Sequence, residues 1–168
     1  MAEIYCWIWI IMFRVGTGIF SDKIHLKTID YLNHLLDFNM KNVPETEYPS
    51  CTKNGYQTAN IITYLNDSYK KELLKKHFNI KDLHHVHLIH YYSNGYQELH
   101  HHEQTEKYSF VVYLNDADGD TVVYLKNNKE YRITPKKGKI VYFPGHLLHE
   151  GLLSTTNKRV AVGSLQRK

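Results

Sequence analysis

Cysteine is scarce in this chain, which has 2, Cys6 and Cys51. That is too few for a disulfide framework or a thiolate zinc site, and it points to a reducing cytoplasm. Proline (4) and glycine (9) are also sparse, which excludes collagen-like and low-complexity chains. With 42% apolar and 23% charged residues the composition is that of a folded protein. There is no dense block of one charge. Lys and Arg number 21 against 17 Asp and Glu, a balance that permits a nucleic-acid partner without requiring one. No hydrophobic run reaches the ~20 residues that a bilayer crossing needs, so no membrane association is expected. The longest, Ile4 to Phe13, is about half that length and follows Glu3 rather than a basic segment, and no small-residue cleavage motif comes after it. It reads as a buried strand rather than a signal peptide.

The 168 residues are enough for one domain with a real core, and no internal repeat or linker divides them. A single domain over 1–168 is expected, with a helical support region over 1–82 and a β core over 83–168. Ser21 can cap a helix whose residues Ile24, Ile29, Leu32, Leu35 and Leu36 follow helical spacing and which ends near Asn39. Pro44, Pro49 and Ser50 mark a loop from Asn42 to Asn54. A second helix is expected within Ile61 to Phe78, with Tyr64, Leu65, Leu73, Leu74 and Phe78 as its apolar stripe and a lysine-rich outer face.

After Asp82 the period changes from helical to two. Short strands are expected at His84 to Tyr91, Gln97 to Glu103, Tyr108 to Leu114, Thr121 to Leu125, Glu130 to Ile133, Lys139 to Phe143 and Arg159 to Leu165, joined by turns rich in Asn, Asp and Gly. That spacing predicts a mainly β, α+β fold: a jelly-roll or cupin-like barrel, with the two helices laid against one sheet.

What the chain has in excess is histidine, 12 in all, and in groups. His100-His101-His102-Glu103 stands about fifty residues before His146-Leu147-Leu148-His149. Residues two apart on a strand share a face, so His101 and Glu103 can offer an imidazole and a carboxylate to one point, with His149 as third ligand from a neighbouring strand. Two histidines and a carboxylate leave three positions open on an octahedral ion, which suits Fe(II). The alternative register, His100 and His102, makes a three-histidine site with His149. The first register supplies the carboxylate and turns Leu99 rather than Glu98 inward. Ten residues past His149, Arg159 lies in an apolar strand, where a cation is costly unless it meets an anion such as a co-substrate carboxylate. Tyr92 and Tyr113 can add hydroxyl donors. His84, His85, His87 and His90 alternate along one strand and so point to both faces, which suits packing and surface roles. His146 is too near His149 in sequence to be its strand partner.

This ordered set resembles the 2-oxoglutarate and Fe(II)-dependent oxygenases, nearest the prolyl-hydroxylase-like and phage or bacterial members. The resemblance runs from Tyr92 and Gly95 through the H-x-[D/E] element His101-His102-Glu103, Tyr113-Leu114-Asn115 and the Pro135 to Gly138 turn before Ile140 to Pro144, to His149 and Arg159, over about residues 85 to 165. The family more often has Asp where Glu103 stands. The resemblance implies a double-stranded β-helix, Fe(II), 2-oxoglutarate and O2, and a hydroxylation that releases succinate and CO2. It also implies 2-oxoglutarate chelating the metal and reaching Arg159 with its far carboxylate. A protein, peptide or small-molecule substrate is favoured, with nucleic acid possible. A cytoplasmic protein is expected, including one encoded by a virus or phage. The competing reading is a non-catalytic, cupin-like module that binds a metal or small ligand.

Overall fold

The computed structural model describes residues 17–44, 51–102 and 106–166. The expected strand at Ile4 to Phe13 lies outside them. In chain order the elements are β1 (Phe20–Lys23), α1 (Leu26–Asn42), β2 (Thr52–Gln57), α2 (Asp67–Leu74), β3 (Leu83–His100), β4 (Glu106–Tyr113), β5 (Thr121–Tyr124), β6 (Glu130–Ile133), β7 (Lys139–Pro144), β8 (His149–Gly151) and β9 (Lys158–Gln166). The strands form one curled antiparallel sheet in the order β1-β7-β4-β9-β3-β8-β5-β6, with β2 added alongside β3.

The period-two pattern of the sequence becomes two cores on the two faces of this sheet. On the outer face Val86, Leu88, Phe110, Val112, Ile140, Tyr142, Ala161 and Leu165 pack under Ile29, Leu32, Leu35 and Leu36 of α1 and Leu73 and Leu74 of α2. On the inner face, inside the curl, Ile89, Tyr91, Val111, Tyr113, Val141, Phe143 and Val160 make a second cluster. Each strand thus sends alternate residues to opposite cores, and each fully buried side chain contributes about 1.5–3 kcal/mol. The α1 residues recur at helical spacing, as expected, and the Tyr142 hydroxyl donates to the Leu73 carbonyl at 2.6 Å, tying α2 to the sheet.

Four features differ from the sequence reading. Ser21 is in strand β1, paired with Val141 of β7, and the first helix starts five residues later. The second helix is shorter than expected because Asn66 caps its start by accepting the Tyr69 amide, and Lys75, at φ 52°, ends it in the left-handed region. Residues 52–57, expected to be partly loop, pair with β3. What read as two strands separated at Ser93 to Gly95 is the single long β3, which bends through register shifts and so serves both halves of the barrel. Among the described residues no helix is long and apolar enough to cross a membrane.

Candidate metal and co-substrate site

His100 and His149 are direct cross-strand partners on β3 and β8, and His102 follows two residues past His100, where its amide donates to the Gly145 carbonyl. Their rings crowd together, with centroids 4.2 Å apart for His100 and His149, 5.0 Å for His100 and His102, and 5.3 Å for His102 and His149. One ring nitrogen from each lies within 4.8 Å of the other two, near enough to serve one ion. The far side of each ring is already occupied. Nδ1 of His100 meets the Glu98 carbonyl at 2.7 Å, Nδ1 of His149 meets the Leu147 carbonyl at 2.9 Å, and Nδ1 of His102 faces the Glu106 carboxylate at 3.6 Å. This leaves Nε2 of each ring as the free ligand atom.

Electrostatics favour the same use. Burial drives the His149 pKa down to about 3, reinforced by neighbouring His100, and burial also lowers His100 and His102. Neutral imidazoles are the form that binds a metal. A set of neutral nitrogens without thiolate fits a borderline divalent ion such as Fe(II).

The other sequence-predicted residues go elsewhere. His101 is exposed, Leu99 is turned outward, and Glu103 lies outside the described residues. The structure therefore brings together the alternative pair, His100 and His102, with His149. Arg159 is not at this site. It sits on the outer face of β9, where it donates to Nδ1 of His90, to Asn33 and, at 2.7 Å, to Asp37 of α1. Tyr92 is exposed, with its ring tilted against that of His90. Tyr113 is in the inner core, but its hydroxyl is spent on Thr121, which lines the cavity in its place. His146 is exposed, and His84 is tied to Gln166.

What the sequence reading missed is Lys158. The triad opens on a cavity of about 190 Å³ inside the curl of the sheet, lined among others by Tyr91, Gln97, Thr121, Val160 and Lys158. That volume suits a small metabolite rather than a larger ligand. Lys158 is 2% exposed. Its Nζ donates to the Gly119 carbonyl at 2.9 Å and lies 4.9 Å from the centre of the Tyr91 ring. Among the described residues no carboxylate forms an ion pair with it. Burial lowers its pKa to about 8, with Asp120 and Asp118 pulling it partly back. A buried cation of this kind is costly until an anion joins it. Its ammonium also approaches Gly151, two residues beyond His149, and two residues of strand span about 6.6 Å. The cavity thus has a histidine triad at one place and a lone ammonium one small molecule away. His85 and His87 also line it, with Nε2 of His85 3.6 Å from the Glu106 carboxylate.

Residues 84–164 match the 2OG-Fe(II) oxygenase superfamily. No curated protein matches the sequence. Among solved structures, a Pseudomonas putida prolyl-4-hydroxylase is 14% identical, with a TM-score of 0.66 over 92% of this chain and 95% of that one. A prolyl hydroxylase from Trichoplax adhaerens, solved with a fragment of a hypoxia inducible factor oxygen degradation domain, is 12% identical, with a TM-score of 0.69 over 91% and 85%. A viral collagen prolyl hydroxylase from Paramecium bursaria Chlorella virus-1, solved as a 2OG complex, is 18% identical, with a TM-score of 0.63 over 91% and 98%. These likenesses show the double-stranded β-helix fold that the resemblance implied.

Proposed function

We propose that this chain, a 2-oxoglutarate-dependent oxygenase of the superfamily that residues 84–164 match, hydroxylates a C–H bond in a protein or peptide side chain. Its cofactors are Fe(II), 2-oxoglutarate and O2. When bound, the iron and 2-oxoglutarate supply the chemistry: oxidative decarboxylation to succinate and CO2, coupled to insertion of one oxygen atom into a substrate C–H bond. The chain supplies the frame. Nε2 of His100, His102 and His149 would hold the metal, the Lys158 ammonium would take the far carboxylate of 2-oxoglutarate, and the apolar wall of Ile89, Val111 and Val160 keeps water from the space between.

The observation that carries this reading is the pairing of three convergent neutral imidazoles with one buried, unpaired cation in the same small cavity. A peptide substrate is favoured because a structural neighbour, the Trichoplax adhaerens enzyme, was solved with a peptide fragment. The free thiol of Cys51 goes with a reducing cytoplasm, in a cell or in the host of an encoding virus.

The test is anaerobic addition of Fe(II) and 2-oxoglutarate, followed by oxygen. The complex should show the weak visible absorption of a metal-chelated 2-oxo acid and then yield succinate. His149→Ala should lose both. A colourless mixture with no succinate would favour a binding module without catalysis, and an unaltered succinate yield in His149→Ala would overturn the ligand assignment.

A further inference from the structure

Glu106, at the start of β4, is 5% exposed and lines the same cavity as the histidine triad. One of its oxygens, Oε2, accepts the Ser109 hydroxyl at 3.2 Å and lies 3.6 Å from Nδ1 of His102. The other, Oε1, lies 3.6 Å from Nε2 of His85. Ser164 also hydrogen-bonds the carboxyl group, and its hydroxyl meets Nδ1 of His85 at 2.9 Å. Among the described residues no lysine or arginine pairs with this carboxylate.

A buried carboxylate with no cation beside it is expensive, and such groups persist where an ion offsets them. The nearest place for one is the triad. Two of its histidines rest their Nδ1 on neutral backbone carbonyls, those of Glu98 and Leu147. Only His102 rests against a charged group. Among the described residues the triad contains no carboxylate of its own. A histidine held by a carboxylate from behind is oriented, fixed in the Nδ1–H tautomer and made a stronger donor through Nε2.

We propose that Glu106 is a positioning residue of the metal site: it holds His102 from behind and supplies the site's negative charge from one ligand further out. At 3.6 Å the contact is longer than a hydrogen bond, and the proposal requires only that the carboxylate face Nδ1. His85, Ser109 and Ser164 hold Glu106 in turn. The inference rests on the assignment of His100, His102 and His149 as the metal ligands.

The experiment is anaerobic titration of the full-length protein with Co(II), read by ligand-field absorption and by affinity, for the wild type, Glu106→Gln, Glu106→Asp and His149→Ala. Glu106→Gln is expected to bind Co(II) about 10- to 100-fold more weakly, with shifted bands. Glu106→Asp, which keeps the charge, is expected to recover several-fold of that affinity. The metal-free Glu106→Gln protein should melt no lower than the wild type, because an amide is cheaper to bury than a carboxylate. A folded Glu106→Gln protein with wild-type affinity and superimposable bands overturns the inference, as do equal affinities for the Gln and Asp variants. If only the Asp variant folds, shifted bands support the inference and superimposable bands overturn it. A wild-type protein that takes up no Co(II), or a His149→Ala protein that takes up as much as the wild type, overturns the triad itself and with it the role of Glu106.

Discussion

Lys158 and Arg159 are consecutive on β9 and face opposite sides of the sheet: the lysine ammonium enters the inner cavity, and the arginine guanidinium lies under α1 against Asp37. The two cations are separated by a single peptide bond, yet one lines the cavity and the other ties the helix to the barrel.

Replacing Lys158 with Met should weaken 2-oxoglutarate binding about 10- to 100-fold, the worth of one charge-assisted hydrogen bond, without unfolding the protein. Exchanging a buried unpaired cation for an apolar side chain of similar length is neutral or stabilising. Calorimetry of 2-oxoglutarate binding with Mn(II) in place of iron, alongside a melting curve, checks both halves. Wild-type affinity in Lys158→Met would remove this residue from the co-substrate site.

Burial lowers the Lys158 pKa to about 8, so co-substrate binding should be pH-dependent. Below that value the ammonium is charged and binds a carboxylate. Above it, the apparent Kd should rise by roughly tenfold per pH unit until the amine is fully neutral. Stability moves the opposite way: between pH 8 and 10.5 the folded chain holds fewer protons here than the unfolded one, so the unliganded protein gains stability. Lys158→Arg, whose guanidinium does not titrate in this range, should flatten the Kd profile.

Arg159→Ala should cost stability and spare the site. It removes the bond to Asp37, whose pKa the guanidinium lowers, and leaves His90 and Asn33 without their partner beneath α1. A loss of about 1–3 kcal/mol by urea unfolding is expected, with the affinity for 2-oxoglutarate unchanged within about twofold. A large drop in that affinity would return Arg159 to the co-substrate site.

Acid should unfold the metal-free protein early. Burial lowers His149 to about 3 and His85 to about 4, both well under the ordinary 6.5. A histidine with a depressed folded pKa binds fewer protons folded than unfolded between the two values, so its stabilising effect is complete above pH 6.5 and is lost on the way down. Each such histidine removes up to about 1.4 kcal/mol per pH unit within that window. Urea midpoints at successive pH values from 7 to 4 measure it, and a flat profile down to pH 5 would contradict the burial of these rings.

The period-two pattern after Asp82 was enough to place most of the strands, because alternation on a strand is a local property written residue by residue. Alternation also carried the deeper result that each strand feeds two cores: Val86 and Leu88 outward, Ile89 and Tyr91 inward. The grouping of the histidines pointed to a candidate metal site for the same local reason. Ser21 shows where local signals fail: it is a good helix cap, but a partner strand, β7, claims it. No local pattern reports that competition.

Composition, the strand pattern and the histidine spacing by themselves indicated a barrel of short strands and pointed to His149 and the His100 to Glu103 segment as a candidate metal site. Tertiary structure alone decided which side chains meet. The cross-strand pairing of His100 with His149 brings His100 and His102, rather than the adjacent register, to His149, and the pairing of β9 with β3, in which Lys158 stands opposite Tyr91 and Arg159 opposite His90, turns the lysine rather than the arginine to the cavity. The physical reason is the same in both cases. A strand has a side-chain period of two, so a shift of one residue exchanges inside for outside, and only the partner strand sets that register.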